Sequence, residues 1–123
     1  GNVGAACWMM AGEVLQKQHV ALVGMDMSYY DGTPYRNTQY YDVAVKIFGE
    51  DGLDDFFIRT YNPHVQAWFF SDPAYYWYRT ALLEMAGEVD FSTYNCTEGG
   101  VLFGDPIQFI PFDDFLAAQA PRR

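Results

Sequence analysis

The stretch HVALVGMD, residues 19–26, decides the fold class of this chain. Its near-continuous apolar run has the length of a strand, and such runs are typical of strands covered on both faces in a parallel sheet. The run stops at Gly24, a carboxylate follows at Asp26, and tyrosines come soon after at positions 29, 30 and 35. The stretch therefore predicts a buried strand that ends at a polar loop rich in phenols.

The segment before this strand, residues 2–18, has the periodicity of an amphipathic helix. Asn2 is a good N-cap, and Gly4 and Gly12 permit the close approach of a neighbouring element. The apolar side chains that share one helical face are Val3, Cys7, Met10 and Val14. A helix followed by a buried strand predicts an α/β domain.

Turn and capping signals divide the remainder of the chain. The clearest helix start has Asp72 as its cap, Pro73 in its first turn and Gly87 at its end. The predicted elements are a turn at 29–35, a helix within 37–50, an acidic loop at 50–55, strands at 56–62 and 65–70 that can form a hairpin, a helix at 73–86, a strand at 90–96, a turn or short helix at 97–104, an extended segment at 106–111 and a helix at 112–119.

Composition and charge exclude several classes of protein. Half of the 123 residues are apolar and 19% are aromatic, which is a globular composition. The net charge of -9 argues against a nucleic-acid partner, since a duplex-binding surface needs clustered Lys and Arg. No apolar run approaches the roughly 18 residues of a membrane span, so we expect no membrane partner and a cytoplasmic location.

The length suits a single domain but is short for a complete nucleotide-binding enzyme. We therefore expect residues 1–123 to be the C-terminal part of a larger nucleotide-binding domain. Cys7 and Cys96 lack metal-ligand spacing and are expected to be buried thiols, and no metal site is predicted from them. The glycosylation sequon formed by Asn95, Cys96 and Thr97 is interpreted as chance, because no secretory signal accompanies it.

Three motifs fall where ligands bind in open α/β sheets, namely beyond the carboxyl ends of strands and at helix starts. They are GNVG at 1–4, GMD at 24–26 and NCTEGG at 95–100. The first can cradle a phosphate or simply cap a helix, and the last brings a hydroxyl, a carboxylate and flexible backbone close to a ligand or simply makes a tight turn. The candidate substrate-binding residues are Asn2, Val3, Gly4, Gly24, Asp26, Thr97, Gly99 and Gly100.

Four further side chains are candidates for catalysis, each with a structural alternative. Tyr29 and Tyr35 can donate hydrogen bonds to a phosphate leaving group, or they are packing residues. Glu98 is a carboxylate beside two glycines, or an incidental residue of a turn. His64 is a conceivable general base, or a surface histidine near Pro63. Asp26 itself can accept hydrogen bonds from sugar hydroxyls, hold a divalent cation, or cap the next loop.

Together, GNVG with its helix, VALVGMDMSYYDGTPY, TYNCTEGGVLFG and the closing FDDFL resemble the C-terminal half of a domain found in motility-associated-factor glycosyltransferases. That family is catalogued together with 6-hydroxymethylpterin diphosphokinase-like proteins, and the likeness covers nearly the whole chain. It looks related to bacterial sialyltransferases, which use a CMP-activated nonulosonic acid. The resemblance implies an α/β, partial Rossmann-like (sialyltransferase-like) domain with a mostly parallel sheet flanked by helices.

The resemblance also implies roles by position. It places Asn2, Val3 and Gly4 near the nucleotide, has Gly24 and Asp26 line the nucleotide site, and makes Tyr29 or Tyr35 the phosphate contact. The sialyltransferase general-base histidine precedes the helix matching DPAYYWYR, where this chain has Phe-Phe-Ser at 69–71. That base has no counterpart here unless His64 supplies it, and the glycine-rich first strand of the nucleotide site belongs upstream of residue 1.

Three functions follow as hypotheses. The first is a glycosyltransferase-like protein that binds a nucleotide-activated sugar, with no certain cofactor, and transfers the sugar to an acceptor. The second is a diphosphokinase that moves pyrophosphate from ATP to a pterin alcohol and requires Mg²⁺ held by Asp26 or Glu98. The third is a non-catalytic module, since a truncated sheet leaves apolar surface that a homo-oligomer would cover.

Overall fold

A computed structural model describes residues 2–121 of the chain. The helices are α1 (Val3–Met9), α2 (Tyr41–Phe48), α3 (Leu53–Phe56), α4 (Pro73–Ala86) and α5 (Phe112–Gln119). The strands are β1 (His19–Leu22), β2 (Tyr29–Tyr30), β3 (Ile58–Asn62), β4 (Ala67–Ser71), β5 (Ser92–Asn95) and β6 (Gln108–Phe109). A π-helical turn at Met10–Val14 extends α1, and 3-10 turns cover Tyr35–Asn37 and Glu50–Gly52.

The six strands form two separate three-stranded sheets. In the parallel sheet, ordered β1-β5-β6, His19 lies opposite Ser92 and Leu22 opposite Asn95. In the antiparallel sheet, ordered β2-β4-β3, β4 is central. The α/β class and a strand at 19–22 are confirmed, but its burial alternates, with Val20 and Leu22 buried and His19 exposed, so the strand is not covered on both faces as predicted. The predicted mostly parallel sheet is only half right because a second, antiparallel sheet accompanies it.

Two hydrophobic clusters hold these layers together. The main cluster joins α1, β1 and α4 through side chains such as Trp8, Leu22 and Leu82, all at most 5% exposed. A smaller cluster packs α2 and α3 on the antiparallel sheet around Ala44, Leu53, Phe57 and Phe70. Its burial of Leu53 explains why residues 50–55 form helical turns rather than the acidic loop that we predict from their charges.

Helix α1 turns a different face to the core than its periodicity indicates. Trp8 is only 1% exposed, and its indole nitrogen donates a hydrogen bond of 2.9 Å to the Thr93 hydroxyl. Burying the largest apolar side chain, with a partner for its N–H, decides the orientation. The predicted core stripe therefore faces outward, with Val3 80%, Met10 57% and Val14 70% exposed.

The sequence also makes predictions about the burial of the two cysteines and about the packing of the two glycines near the start of the chain. Cys7 is exposed on the outer face of α1, which corrects the prediction of a buried thiol, whereas Cys96 is buried as predicted. The expected close approaches are confirmed at both glycines. A Cβ on Gly4 would lie 2.8 Å from the terminal methyl of Met25, and a Cβ on Gly12 would collide with the ring of Phe91.

The elements with strong local signals appear where the sequence places them. Helix α4 spans Pro73–Ala86, and the Asp72 Oδ1 atom accepts a 2.8 Å hydrogen bond from the Tyr75 amide. Strands β3 and β4 form the predicted hairpin, and α5 covers the predicted residues 112–119. Residues 97–103 form bends and irregular backbone rather than a helix, with Glu98 and Gly100 at φ +64° and +80°.

Three side chains hold the 97–103 segment between the two sheets and α4. The side-chain amide of Asn62, at the end of β3, donates to the Gly100 carbonyl at 2.9 Å, and that of Asn95, at the end of β5, donates to the Leu102 carbonyl at 2.7 Å. From α4, Arg79 Nε donates to the Val101 carbonyl at 2.6 Å. Both asparagines are fully buried, so these bonds satisfy carbonyls that water cannot reach.

Gly100 is the tightest point of this segment. A Cβ there would lie 2.6 Å from the Asp26 Cα atom, and the backbone has a left-handed φ. We expect Gly100→Ala to lower the free energy of unfolding by about 3 kcal/mol, because conformational strain adds to overpacking against backbone. Urea denaturation measures this change.

The matched control is Gly32→Ala, because Gly32 has a similar φ of +88° but open space around its Cβ position. Strain alone should then cost about 1 kcal/mol. Equal losses in the two variants would contradict the close packing of Gly100 on Asp26.

Candidate functional site

A cavity of about 430 Å³ lies at the carboxyl end of β1. It is lined by Asn2 and Gly4 from the start of α1, by residues 24–28 from the loop after β1, and by Tyr75 and Tyr78 from α4. The sequence predicts that the helix start and the strand end supply one site. The structure brings these two motifs together around a single cavity.

The loop at 24–28 owes its shape to the neighbouring 97–103 segment. Gly24 leaves the strand at φ +78° with open space around it, so the glycine is needed for its backbone conformation alone. The Thr97 hydroxyl accepts a 3.2 Å hydrogen bond from the Met25 amide, and the Val101 amide donates to the Asp26 carbonyl at 3.0 Å. The loop is thereby fixed before any ligand binds.

Asp26 is the one carboxylate among the residues that line the cavity. It is half-buried, and desolvation by burial raises the pKa of its carboxyl above the ordinary value. No hydrogen bond from another described side chain offsets that effect. Its carboxylate oxygens are therefore free to accept hydrogen bonds from a ligand.

Asn2 caps helix α1, and this structural role limits how it can bind a ligand. Its Oδ1 atom accepts a 2.8 Å hydrogen bond from the Ala5 amide and so caps α1. Its side-chain nitrogen makes no hydrogen bond within the described residues and can donate to a ligand. Val3, predicted beside it as a binding residue, points outward at 80% exposure and lines an apolar groove with Met9 and Met85 rather than the cavity.

Sequence reasoning missed part of this wall. Tyr75 and Tyr78 are not among its candidates, yet both line the cavity together with Met25, Met27 and Ser28 while also packing against the main hydrophobic cluster. The available signal was the spacing of the two tyrosines, since residues three apart share one face of a helix. That face could be assigned to the cavity only once α4 was placed beside β1.

The loop tyrosines lie outside the lining. Tyr29 stacks on Phe70, and its hydroxyl accepts a 3.1 Å bond from the Gln39 amide. Tyr35 stacks on Phe57 at 4.3 Å between ring centroids and donates a 2.7 Å bond to Asp54. Burial raises the pKa of both phenols, so they stay neutral donors. Tyr29 still approaches the cavity, because its ring lies 5.6 Å from that of Tyr75.

The TEGG motif, residues 97–100, packs against the loop after β1 that forms part of the cavity wall. Thr97 bonds to Met25, and Gly100 presses on the backbone of Asp26. Gly99 is buried near the ring of Phe69, and Glu98 is exposed in a left-handed conformation. The close approach that these glycines allow is therefore an approach to the protein's own loop.

His64 lies away from this wall. Its ring stacks on Phe109 with centroids 4.8 Å apart, and its backbone amide donates a 2.9 Å bond to the Asn62 side chain. Neither His64 nor Tyr35 is among the residues that line the cavity. The structure therefore does not bring these two candidates close to Asp26. Their predicted catalytic roles are not supported by proximity.

Two other observations bear on ligands. Within residues 2–121, no group of three or more His, Cys, Asp and Glu side chains is arranged to hold a metal ion. A hollow of about 510 Å³, lined by Lys17, His19 and Asp90 among others, lies at the amino ends of β1 and β5. Parallel sheets present helix starts and loops for ligands at the opposite, carboxyl end, which favours the Asp26 cavity.

Comparisons with known proteins identify no family for this chain: no family match was found, and neither curated proteins nor solved structures show significant similarity. None of the helices in the described part of the chain is long and apolar enough to cross a membrane.

The raised pKa of Asp26 predicts a pH-dependent stability. A carboxyl whose pKa is higher in the folded state than in the unfolded state destabilises the fold when charged, so its cost appears as pH rises above about 4. We expect Asp26→Asn to raise the urea midpoint at pH 7 and to leave it unchanged at pH 3. The same substitution at the exposed Asp90 controls for net charge, and an equal gain in both variants would contradict a specific desolvation of Asp26.

Proposed function

We propose that the cavity at the carboxyl end of β1 binds a nucleotide-activated sugar, and that the chain is the donor-binding part of a glycosyltransferase-like protein with a Rossmann-like fold. The observation that carries the proposal is the convergence of Asp26, Tyr75 and Tyr78 on one cavity at a strand end. A volume of about 430 Å³ suits a small polar ligand.

The chemistry of the wall fits a ligand that carries hydroxyl groups. The Asp26 carboxylate can only accept hydrogen bonds when ionised, and ribose or sugar hydroxyls donate them. Tyr75 and Tyr78 offer flat rings against which a base or sugar ring packs, together with phenolic hydroxyls that donate to oxygen atoms. The glycine at position 4 keeps this wall open at the start of α1.

In this proposal the chain contributes orientation rather than proton transfer. Asp26 would fix the hydroxyls of the donor, and the tyrosines of α4 would fix its ring, so that the bond to the leaving group faces the acceptor. Of the two loop tyrosines, Tyr29 is the one that contacts Tyr75, so its phenol is the better placed to donate a hydrogen bond to the phosphate. Association of copies and a cytoplasmic location stay predictions from the sequence.

A thermal-shift screen against CMP, CDP, UDP, GDP and ATP, with and without Mg²⁺, tests this proposal. A ligand at about 100 times its Kd stabilises the folded state by about 2.7 kcal/mol, which raises the Tm of a small domain by several degrees. We expect CMP or CDP to give such a rise without Mg²⁺. Asp26→Ala should abolish it, because the variant loses the acceptor for the hydroxyls.

The control variant is Asp90→Ala, which removes one exposed carboxylate outside the cavity and should keep the full shift. A shift that survives Asp26→Ala would place the nucleotide elsewhere and overturn the proposal. A response confined to ATP with Mg²⁺ would favour the diphosphokinase hypothesis instead, and no response to any nucleotide would leave the domain without a nucleotide site.

A further inference from the structure

Strand β1 lies at an open edge of the parallel sheet. It pairs with β5 on one side, where the carbonyls of Gln18 and Leu22 accept hydrogen bonds from the β5 side of the sheet. Because the backbone groups of successive strand residues point to opposite edges, those of residues 19, 21 and 23 point away from β5. These N–H and C=O groups have no hydrogen-bond partner among residues 2–121.

This edge carries none of the features that usually prevent strand pairing. Soluble proteins protect strand edges with lysine and other charged residues, with proline or with bulges. Residues 18–25 contain no Asp, Glu, Lys, Arg or Pro, and the Val23 side chain is 59% exposed. A groove of about 290 Å³ lies between α1 and β1 at this edge, lined in part by Cys7 and Ala11. The backbone and the groove are therefore both suited to an added strand.

The outward side of α1 and its π-helical turn continues this surface. Val3, Cys7, Met10 and Val14 follow one another at intervals of four, three and four residues, which is the spacing of an apolar seam that packs against a second helix. All four are exposed, and Cys7 also lines the groove beside β1. These four residues, the α1 seam, therefore lie next to the open edge of β1.

We propose that the β1 edge and the α1 seam form an interface with a second copy of this chain. The two β1 strands pair antiparallel about a two-fold axis at Ala21. Ala21 then lies opposite its own copy, and His19 lies opposite Val23 of the other copy, so all the outward-facing backbone groups of the strand find partners. The two parallel sheets join into one continuous sheet, and each copy brings its own α1 beside the axis.

A second copy fits this surface better than an extended peptide of another protein. A peptide would satisfy the backbone of β1 but leave the α1 seam exposed, whereas a copy covers both. The net charge of -9 makes most surfaces of two copies repel each other. Within residues 2–25 the charged side chains are Glu13 and Lys17, which cancel, so two copies can meet here without net repulsion. A basic peptide, which the overall charge attracts, would find no excess of carboxylates in this stretch.

Sedimentation velocity over about a hundredfold range of protein concentration tests the association. We expect the wild type to shift from the mass of one chain to twice that mass. Val23→Lys places a charge on the strand edge and should raise the dimer Kd at least about tenfold. Met10→Lys should do the same through the α1 seam. Ile47→Lys is the matched control, because Ile47 on α2 is 68% exposed and lies outside the interface, and this variant should associate as the wild type does.

Amide hydrogen exchange measured residue by residue identifies the edge that pairs. The Ala21 amide points away from β5, so its exchange should slow about tenfold or more at concentrations where the dimer forms. The Leu22 amide faces β5 in either state and is the internal control, with protection that does not depend on concentration. Val23→Lys should abolish the concentration dependence at Ala21.

Cysteine cross-linking tests the register. The Cα atoms of opposite, hydrogen-bonded residues in an antiparallel pair lie about 5.5 Å apart, a distance that a disulfide spans. In a Cys7→Ser background, Ala21→Cys should therefore form a disulfide between two copies under mild oxidation. His19→Cys is the control and should not, because residues 19 of the two copies would lie about 13 Å apart along the strands. Cross-linking at His19→Cys instead of Ala21→Cys would reject the two-fold axis at Ala21.

The mass of one chain at every concentration would overturn the proposal, and so would a dimer that withstands Val23→Lys. A chain that stays monomeric but protects the Ala21 amide when a Thr-Val repeat peptide is added would have an edge that serves another protein, which rejects the second copy. Val23 and Met10 are exposed in the single chain, so both lysine variants should keep the wild-type urea midpoint at low concentration. Loss of association is then not a loss of folding.

The inference is independent of the proposed function. Val23→Lys and Met10→Lys leave the lining of the Asp26 cavity unchanged, so both variants should keep the rise in Tm with CMP or CDP. A dimer without any nucleotide response would keep the interface and reject the proposed function. A nucleotide response in a chain that never associates would keep the proposed function and reject the interface.

Discussion

The hydrogen bonds that two fully buried asparagines donate to the 97–103 segment are the constraint on which the remainder of the structure depends. Asn62 belongs to the antiparallel sheet and Asn95 to the parallel sheet, so one short irregular segment joins the two. Each amide also accepts a bond from the chain two residues later, at His64 and at Thr97. Replacing either amide would leave a buried carbonyl without its donor, and the partly buried N–H two residues later would lose its acceptor.

The conformation of the candidate site depends on these hydrogen bonds. Because the 97–103 segment is fixed, Thr97 and Val101 can hold the loop after β1, and that loop presents Asp26. Helix α4 adds Tyr75 and Tyr78 from the other side and is itself tied to the segment through Arg79. The irregular backbone at residues 97–103 thus shapes the carboxyl end of β1. Ligands usually bind at this end of the strands in α/β sheets.

The sequence predicts those parts of the fold that carry local signals. Asp72 and Pro73 mark α4 because capping acts within one turn, but the inward face of α1 is decided by how Trp8 fits the sheet. Periodicity shows which side chains share a face, not which face is buried. Likewise, the strand-end motifs around Asp26 are visible in the sequence, whereas Tyr78 joins the site only through tertiary packing.

The burial of Asn95 also determines how the chain would respond to the glycosylation machinery. Its side chain donates to Leu102 and accepts from Thr97, so the sequon at residues 95–97 is closed in the folded protein. A glycan attached to the chain during synthesis would occupy the amide that the 97–103 segment requires, and it is far too large for a fully buried position. Production through a secretory route would therefore divide the chains into those that fold before modification and those that never fold.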